Sequence, residues 1–281
     1  MKLAIELVGL GIAIPGAIAF AIVWLSGRFG SARFAERAAG IAVAAAFFLG
    51  CVIAPGSGTD AVWPTRHWQW LPWAAVLAGA AGGLVSERLR ALDWRWLVLA
   101  ALALLCAWPI VPTWARLWPP PSISVLMVAA LLFALMALLN QLPERLLGTC
   151  FLVQFALTTG AIAVLLAAEI SMTFGQLGII AAGALGGCWA AGCLAKAPLV
   201  ARSVVPVFAV MTGGLAYVGC IGREPPLLAL MLVATAPVAL WVCAIGPLVR
   251  MRGASGGVLG TTFVLLPIAV AVAWVLAASE G

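Results

Sequence analysis

The chain has 281 residues, 65% of them hydrophobic and 9% charged, with a formal net charge of +6. Soluble domains carry about 25% charged residues, so this chain cannot cover itself with polar groups, and water is the wrong solvent for it. Its basic residues are scattered between apolar runs and form no basic domain, which excludes a nucleic-acid partner and reads as a set of topology signals.

Uncharged runs of about 20 residues recur along the whole length, enough for a helix to cross the roughly 30 Å hydrocarbon core. The alternating segments of about 10 residues that a β-barrel shows do not occur. The chain reads as all-α, a polytopic membrane protein of about ten transmembrane helices in one transmembrane domain, 1–281. The expected spans are 3–26, 36–54, 71–89, 95–113, 122–141, 146–168, 174–195, 203–221, 226–247 and 257–278. The connections are too short for a soluble domain.

In the first span, Lys2 and the sequence Ala17-Ile18-Ala19 resemble a secretory signal with its cleavage site. Glu6 interrupts the apolar core and the run continues through Leu25, so a retained helix is expected. Glu6 has Lys2 four residues before it. The pair reads as a surface ion pair, with a proton-coupling carboxylate as the sharper alternative. Pro15 and Gly16 break the same span near its middle.

Between the second and third spans runs AVWPTRHWQWLPW, Ala61 to Trp73, with four tryptophans and the only histidine. Tryptophan favours the water–lipid boundary, where its ring is half in apolar surroundings and its N–H finds a partner. Trp63, Trp68, Trp70, Trp73, Trp114 and Trp118 fit an outer aromatic belt; Trp24, Trp94, Trp96 and Trp241 fit an inner one. Arg66 and His67 could instead contact an anionic lipid headgroup at the outer face.

The third span carries Ala75, Gly79 and Gly83, and the seventh Gly183 and Gly187, small-residue stripes that let helices approach closely. The sixth span holds Gln154 and Thr158 on one face and a break at Thr158-Thr159-Gly160. Threonine can bond back to its own helix, so Gln154 is the stronger candidate for a site. Paired breaks at matching depth have two readings. They are kinks packed against neighbours, or they line a substrate site made of Pro15, Gly16, Gln154, Thr158, Thr159 and Gly160.

Alternate turns are rich and poor in basic residues, eleven on one side and four on the other. The positive-inside rule makes the eleven-residue side cytoplasmic, so both termini face the non-cytoplasmic side. Five spans per half would invert a duplicated unit. Gly16-Ala17-Ile18-Ala19 recurs as Gly160-Ala161-Ile162-Ala163, and three weaker matches follow in chain order. They point to an inverted 5+5 repeat with halves 1–141 and 146–281, against chance similarity in a biased composition.

Seven cysteines lie in or at the ends of apolar runs without a C-x-x-C pair, and read as packing residues. No metal or cofactor is expected. No P-loop occurs, and one histidine cannot make H-E-x-x-H. Gly253-Ala254-Ser255-Gly256 resembles the G-x-S-G pattern of rhomboid-type proteases, but His67, the one available base, is expected across the bilayer.

The leading functional reading is a secondary carrier of a neutral or amphipathic small molecule, working by alternating access. A non-catalytic assembly or sensory subunit is the first alternative, with an oligomer or partner subunit then in play. An outer-face lipid-modifying enzyme is the second, and catalysis is the less favoured reading. Arginine outnumbers lysine 13 to 2, a sign of a GC-rich bacterial genome, so the expected location is the inner (plasma) membrane with lipids as partners.

Overall fold

A computed structural model describes residues 9–54, 62–88, 94–114, 117–142, 148–194, 201–221, 227–244 and 254–279. Every regular element among them is helical. A π-helical turn, Gly9–Ala13, leads into α1 (Ile14–Phe29). Pro15 accounts for it. Its ring crowds the carbonyl of Gly11 and it has no N–H to offer that oxygen, so the turn widens. α2 (Ala32–Ile53) begins where the Ser31 side chain accepts a hydrogen bond from the Phe34 N–H at 3.2 Å, which occupies a donor the helix leaves open.

A 3₁₀ turn, His67–Trp70, enters α3 (Leu71–Arg88). α4 (Arg95–Ile110) stops early because Val111 precedes Pro112 and is held extended, with φ −81° and ψ 125°. α5 (Pro121–Asn140) starts on a proline, whose missing N–H would have had no partner there. α6 (Thr149–Glu169) and α7 (Met172–Leu194) form a hairpin joined through Ile170 and Ser171. After a 3₁₀ turn, Ala201–Ser203, comes α8 (Val204–Cys220). α9 (Leu227–Thr235) passes through a 3₁₀ segment, Ala236–Leu240, which contains Pro237, into α10 (Trp241–Ala244). α11 (Ala254–Ser279) closes the chain with Pro267 inside it.

α8 is the axis of the bundle. Fifteen of its 17 residues are buried, and it touches every helix from α2 to α7 as well as α9. The surrounding helices are apolar outside as well as inside. Leu97, Leu105, Trp108, Leu126, Val164 and Leu266 are each at least 60% exposed, a surface that suits lipid and not water. Among the described residues, six helices are long and apolar enough to cross a bilayer: Gly11–Phe29, Arg33–Ile53, Pro121–Asn140, Cys150–Glu169, Met172–Leu194 and Val258–Val275. Together they support a multi-pass membrane protein.

Three further apolar helices, Arg95–Ile110, Val204–Cys220 and Leu228–Ala244, are shorter than the spans expected there. A 16-residue helix such as α4 is about 24 Å long, less than the hydrocarbon thickness. Proline explains two of the three: Pro112 ends α4, and Pro237 interrupts the rod that begins as α9.

Both small-residue stripes pack, on different partners. Gly79 faces α2, where an added Cβ would lie 2.8 Å from the Gly40 carbonyl oxygen and 2.7 Å from the Ala44 Cβ. Gly183 and Gly187 face the first helix, at Ile12 and Gly16. Exchanging the two halves by a two-fold axis would turn the packing of α1 on α7 into packing of α6 on α2. Among the described residues α1 lies along α7, while α6 has no comparable contact with α2.

Candidate functional site

Gln154 lies on α6, where that helix meets α11. It is 3% exposed, and its Nε2 donates to the Thr261 hydroxyl of α11 across a long 3.4 Å, while its Oε1 has no hydrogen-bond partner. The amide fits because residue 260 is glycine: a Cβ there would lie 3.0 Å from Nε2 and 3.2 Å from Leu240 Cδ2. An unmet buried carbonyl oxygen costs about 1–3 kcal/mol, so the bundle holds a polar acceptor at its own expense. Nearby, Phe155 stacks on Phe208 with ring centres 3.6 Å apart and planes within 2°, and Phe151 packs tilted against Phe155.

The threonines beside it behave differently. Thr158 donates to the Gln154 backbone carbonyl at 2.9 Å and Thr159 to the Phe155 carbonyl at 2.8 Å. Thr212 on α8 likewise bonds the Phe208 carbonyl at 2.7 Å. Each hydroxyl is satisfied within its own helix, and this is how threonine enters an apolar bundle without a ligand.

Pro15 and Gly16 lie elsewhere. Gly16 is set against Gly183 and Gly187 of α7, and the Pro15 ring fills the space over Gly50 of α2. A Cβ on Gly160 would lie 4.0 Å from the Cβ of Ala182, also on α7. α6 runs as one unbroken helix through Thr158-Thr159-Gly160, so the break expected there does not occur. Gly16 and Gly160 both face α7, at different positions, and only Gly160 shares a helix with Gln154. Glu6 lies outside the described residues.

At the other candidate position the chain makes a rigid turn. Its organiser is Gln69, which sequence reading passed over. The Gln69 side chain is buried, and its Oε1 accepts the Thr65 and Arg66 N–H groups, each at 2.8 Å, and the Thr65 hydroxyl at 3.2 Å. A glutamine three residues after a helix N-cap is the signal that could have shown it. Arg66 is exposed, and His67 is half-buried with its ring edge-on to Trp114 at 5.2 Å. Trp63, Trp114 and Trp118 are exposed around this end, while Trp68 packs on Phe174. At the opposite end the Arg28 and Arg95 guanidinium groups sit over Trp24 and Trp96.

Burial pushes the His67 imidazole below its ordinary 6.5, because partial desolvation penalises the cation. Between the folded value and 6.5 the unfolded chain binds more protons, so the stabilisation is complete above 6.5 and is lost as pH falls through that window. Acidification from about pH 7 to about pH 5 is expected to lower the thermal midpoint, and His67→Gln is expected to remove that sensitivity. An equal drop in the His67→Gln protein would assign it to another group.

All seven cysteines are free, and among the described residues no three of His, Cys, Asp and Glu gather as a metal site. No family model, curated protein or solved structure matches the chain. What fold and site together support is a class: a multi-pass helical membrane protein with, among the described residues, one unsatisfied amide buried in its bundle.

Proposed function

We propose that the chain is a secondary carrier of a neutral or amphipathic small molecule, with Gln154 as its polar contact in the bundle. The observation that carries this reading is the unpartnered Gln154 Oε1, a buried acceptor suited to a solute that brings an N–H or O–H donor. None of the buried polar side chains among the described residues is charged, which favours an uncharged solute over an ion. Alternating access would move helices about α8 so that the Gln154 region opens to each face in turn.

The same proposal places about ten crossings in the inner membrane, with both termini outside. It is supported by where the helix ends fall. Packing of Gly83 on Arg37, and of Gly40 and Gly82 on Ser203, puts Arg33, Arg37 and Arg202 at one end of the bundle. His67 opens the 3₁₀ turn that leads into α3 and Arg88 ends α3, a helix about 27 Å long. Arg66, exposed among tryptophans, then meets an anionic lipid headgroup on the outer face. Impermeant thiol labelling of cysteines introduced at positions 67 and 90 is expected to modify only the first from outside; modification of both would overturn the orientation.

The function is tested by reconstituting the protein in vesicles and measuring uptake of a panel of neutral and amphipathic solutes. At least one solute is expected to enter faster than through protein-free vesicles, with the increment reduced about ten-fold or more in Gln154→Ala, in line with loss of one buried hydrogen bond. Equal uptake by both proteins across the panel would overturn the reading.

A further inference from the structure

Ser203 makes an unusual contact. It is fully buried, in the 3₁₀ turn that delivers the chain into α8. Its hydroxyl accepts the Gly40 N–H of α2 at 3.1 Å and donates to the Glu36 carbonyl of the same helix. Residues 36 and 40 are four apart, so these are the carbonyl and the N–H that an α-helix pairs with each other. One hydroxyl from a distant part of the chain has joined a rung of the α2 ladder.

The approach is built into two helices. A Cβ on Gly40 would overlap the Ser203 carbonyl oxygen and lie 2.9 Å from its carbon. A Cβ on Gly82 of α3 would overlap the same oxygen and lie 3.2 Å from the same carbon. Gly79, one turn before Gly83, brings α3 down onto Gly40 itself. Glycines on α2 and α3 thus form a slot that receives the backbone of one residue.

We propose that Ser203 is a releasable latch, closed in this structure, that holds the entrance of α8 against α2 and α3 at the end carrying Arg33, Arg37 and Arg202. The reason is an asymmetry in what release exposes. Withdrawing an ordinary buried hydrogen bond leaves a donor or acceptor without a partner. Withdrawing Ser203 leaves the Gly40 N–H and the Glu36 carbonyl to pair with each other, so α2 keeps its ladder in both states and only the Ser203 hydroxyl has to find new partners. The slot is lined by glycine and loses no side-chain interlock when it empties. α8 touches most of the bundle, so freeing its entrance gives a two-state element on which a larger rearrangement can act. The latch does not depend on which solute is carried, or on the carrier reading.

Hydrogen–deuterium exchange of the full-length protein in nanodiscs tests it, comparing wild type with Ser203→Ala and with Gly82→Ala. The first removes the hydroxyl, and the second fills the slot while keeping it. Both are expected to speed exchange of amides 201–205 by about ten-fold or more while amides 36–40 stay as protected as in wild type. Unchanged exchange at 201–205 in Ser203→Ala would overturn the latch. So would loss of protection spreading through 36–40 and along α8 in either variant, since that is how a structural staple fails.

Discussion

Gly187→Ala is expected to destabilise the bundle by about 1–3 kcal/mol or more, the range for forcing extra atoms into a packed interior, while Gly186→Ala leaves it unchanged or firmer. The two positions are adjacent on α7 and differ only in what they face. A Cβ at 187 would overlap the Gly16 carbonyl oxygen and lie 2.6 Å from its carbon and 2.7 Å from its Cα. Those are backbone atoms of a neighbouring helix and cannot rotate away, so α1 and α7 must separate and lose dispersion contacts along the seam. A Cβ at 186 would meet nothing within 4 Å, and alanine is the better helix former by up to about 1 kcal/mol. Thermal unfolding of the detergent-solubilised proteins measures both. Equal midpoints for the two variants would contradict the seam.

Gln154→Leu is expected to separate stability from function. Leucine removes the buried oxygen that lacks a partner, relieving a cost of about 1–3 kcal/mol, and fits an apolar setting beside Leu240 and Gly260. Thr261 loses its long 3.4 Å bond from Nε2 but is only half-buried, so the loss there is small. The thermal midpoint should therefore hold or rise, while solute uptake falls about ten-fold or more, the scale set by one buried hydrogen bond. That pairing is the mark of a polar group retained for work at a cost in stability. A lower midpoint with undiminished uptake would make Gln154 a structural residue.

Much of the local structure is legible in the residues themselves. Composition alone sets lipid as the solvent. Pro121 opens α5, Ser31 caps α2, and Pro112 ends α4 at Ile110, each by a rule that needs only neighbouring residues. The candidate site was partly legible for the same reason. A glutamine in an apolar run stands out because its amide cannot bond neatly to its own helix, whereas Thr158 and Thr159 can and do. Gln69 carried a local signal, its spacing from the start of the 3₁₀ turn.

What the residues could not announce is which helix faces which. In water, a surface helix shows its buried side through one apolar stripe against a polar face. Here the outer faces of α4, α5 and α11 are as apolar as their inner ones, so no pattern points inward. The sequence determined that helices form, where several of them start and stop, and that Gln154 is anomalous. Only the tertiary structure decided that Gly16 packs on Gly187 and lies apart from Gln154, that α8 is the axis, and that Ser203 reaches a rung of α2 163 residues away. The physical reason is that lipid supplies no hydrophobic contrast between helix faces. Pairing is then settled by close fit between small residues and by isolated hydrogen bonds, both of which exist only between elements already side by side.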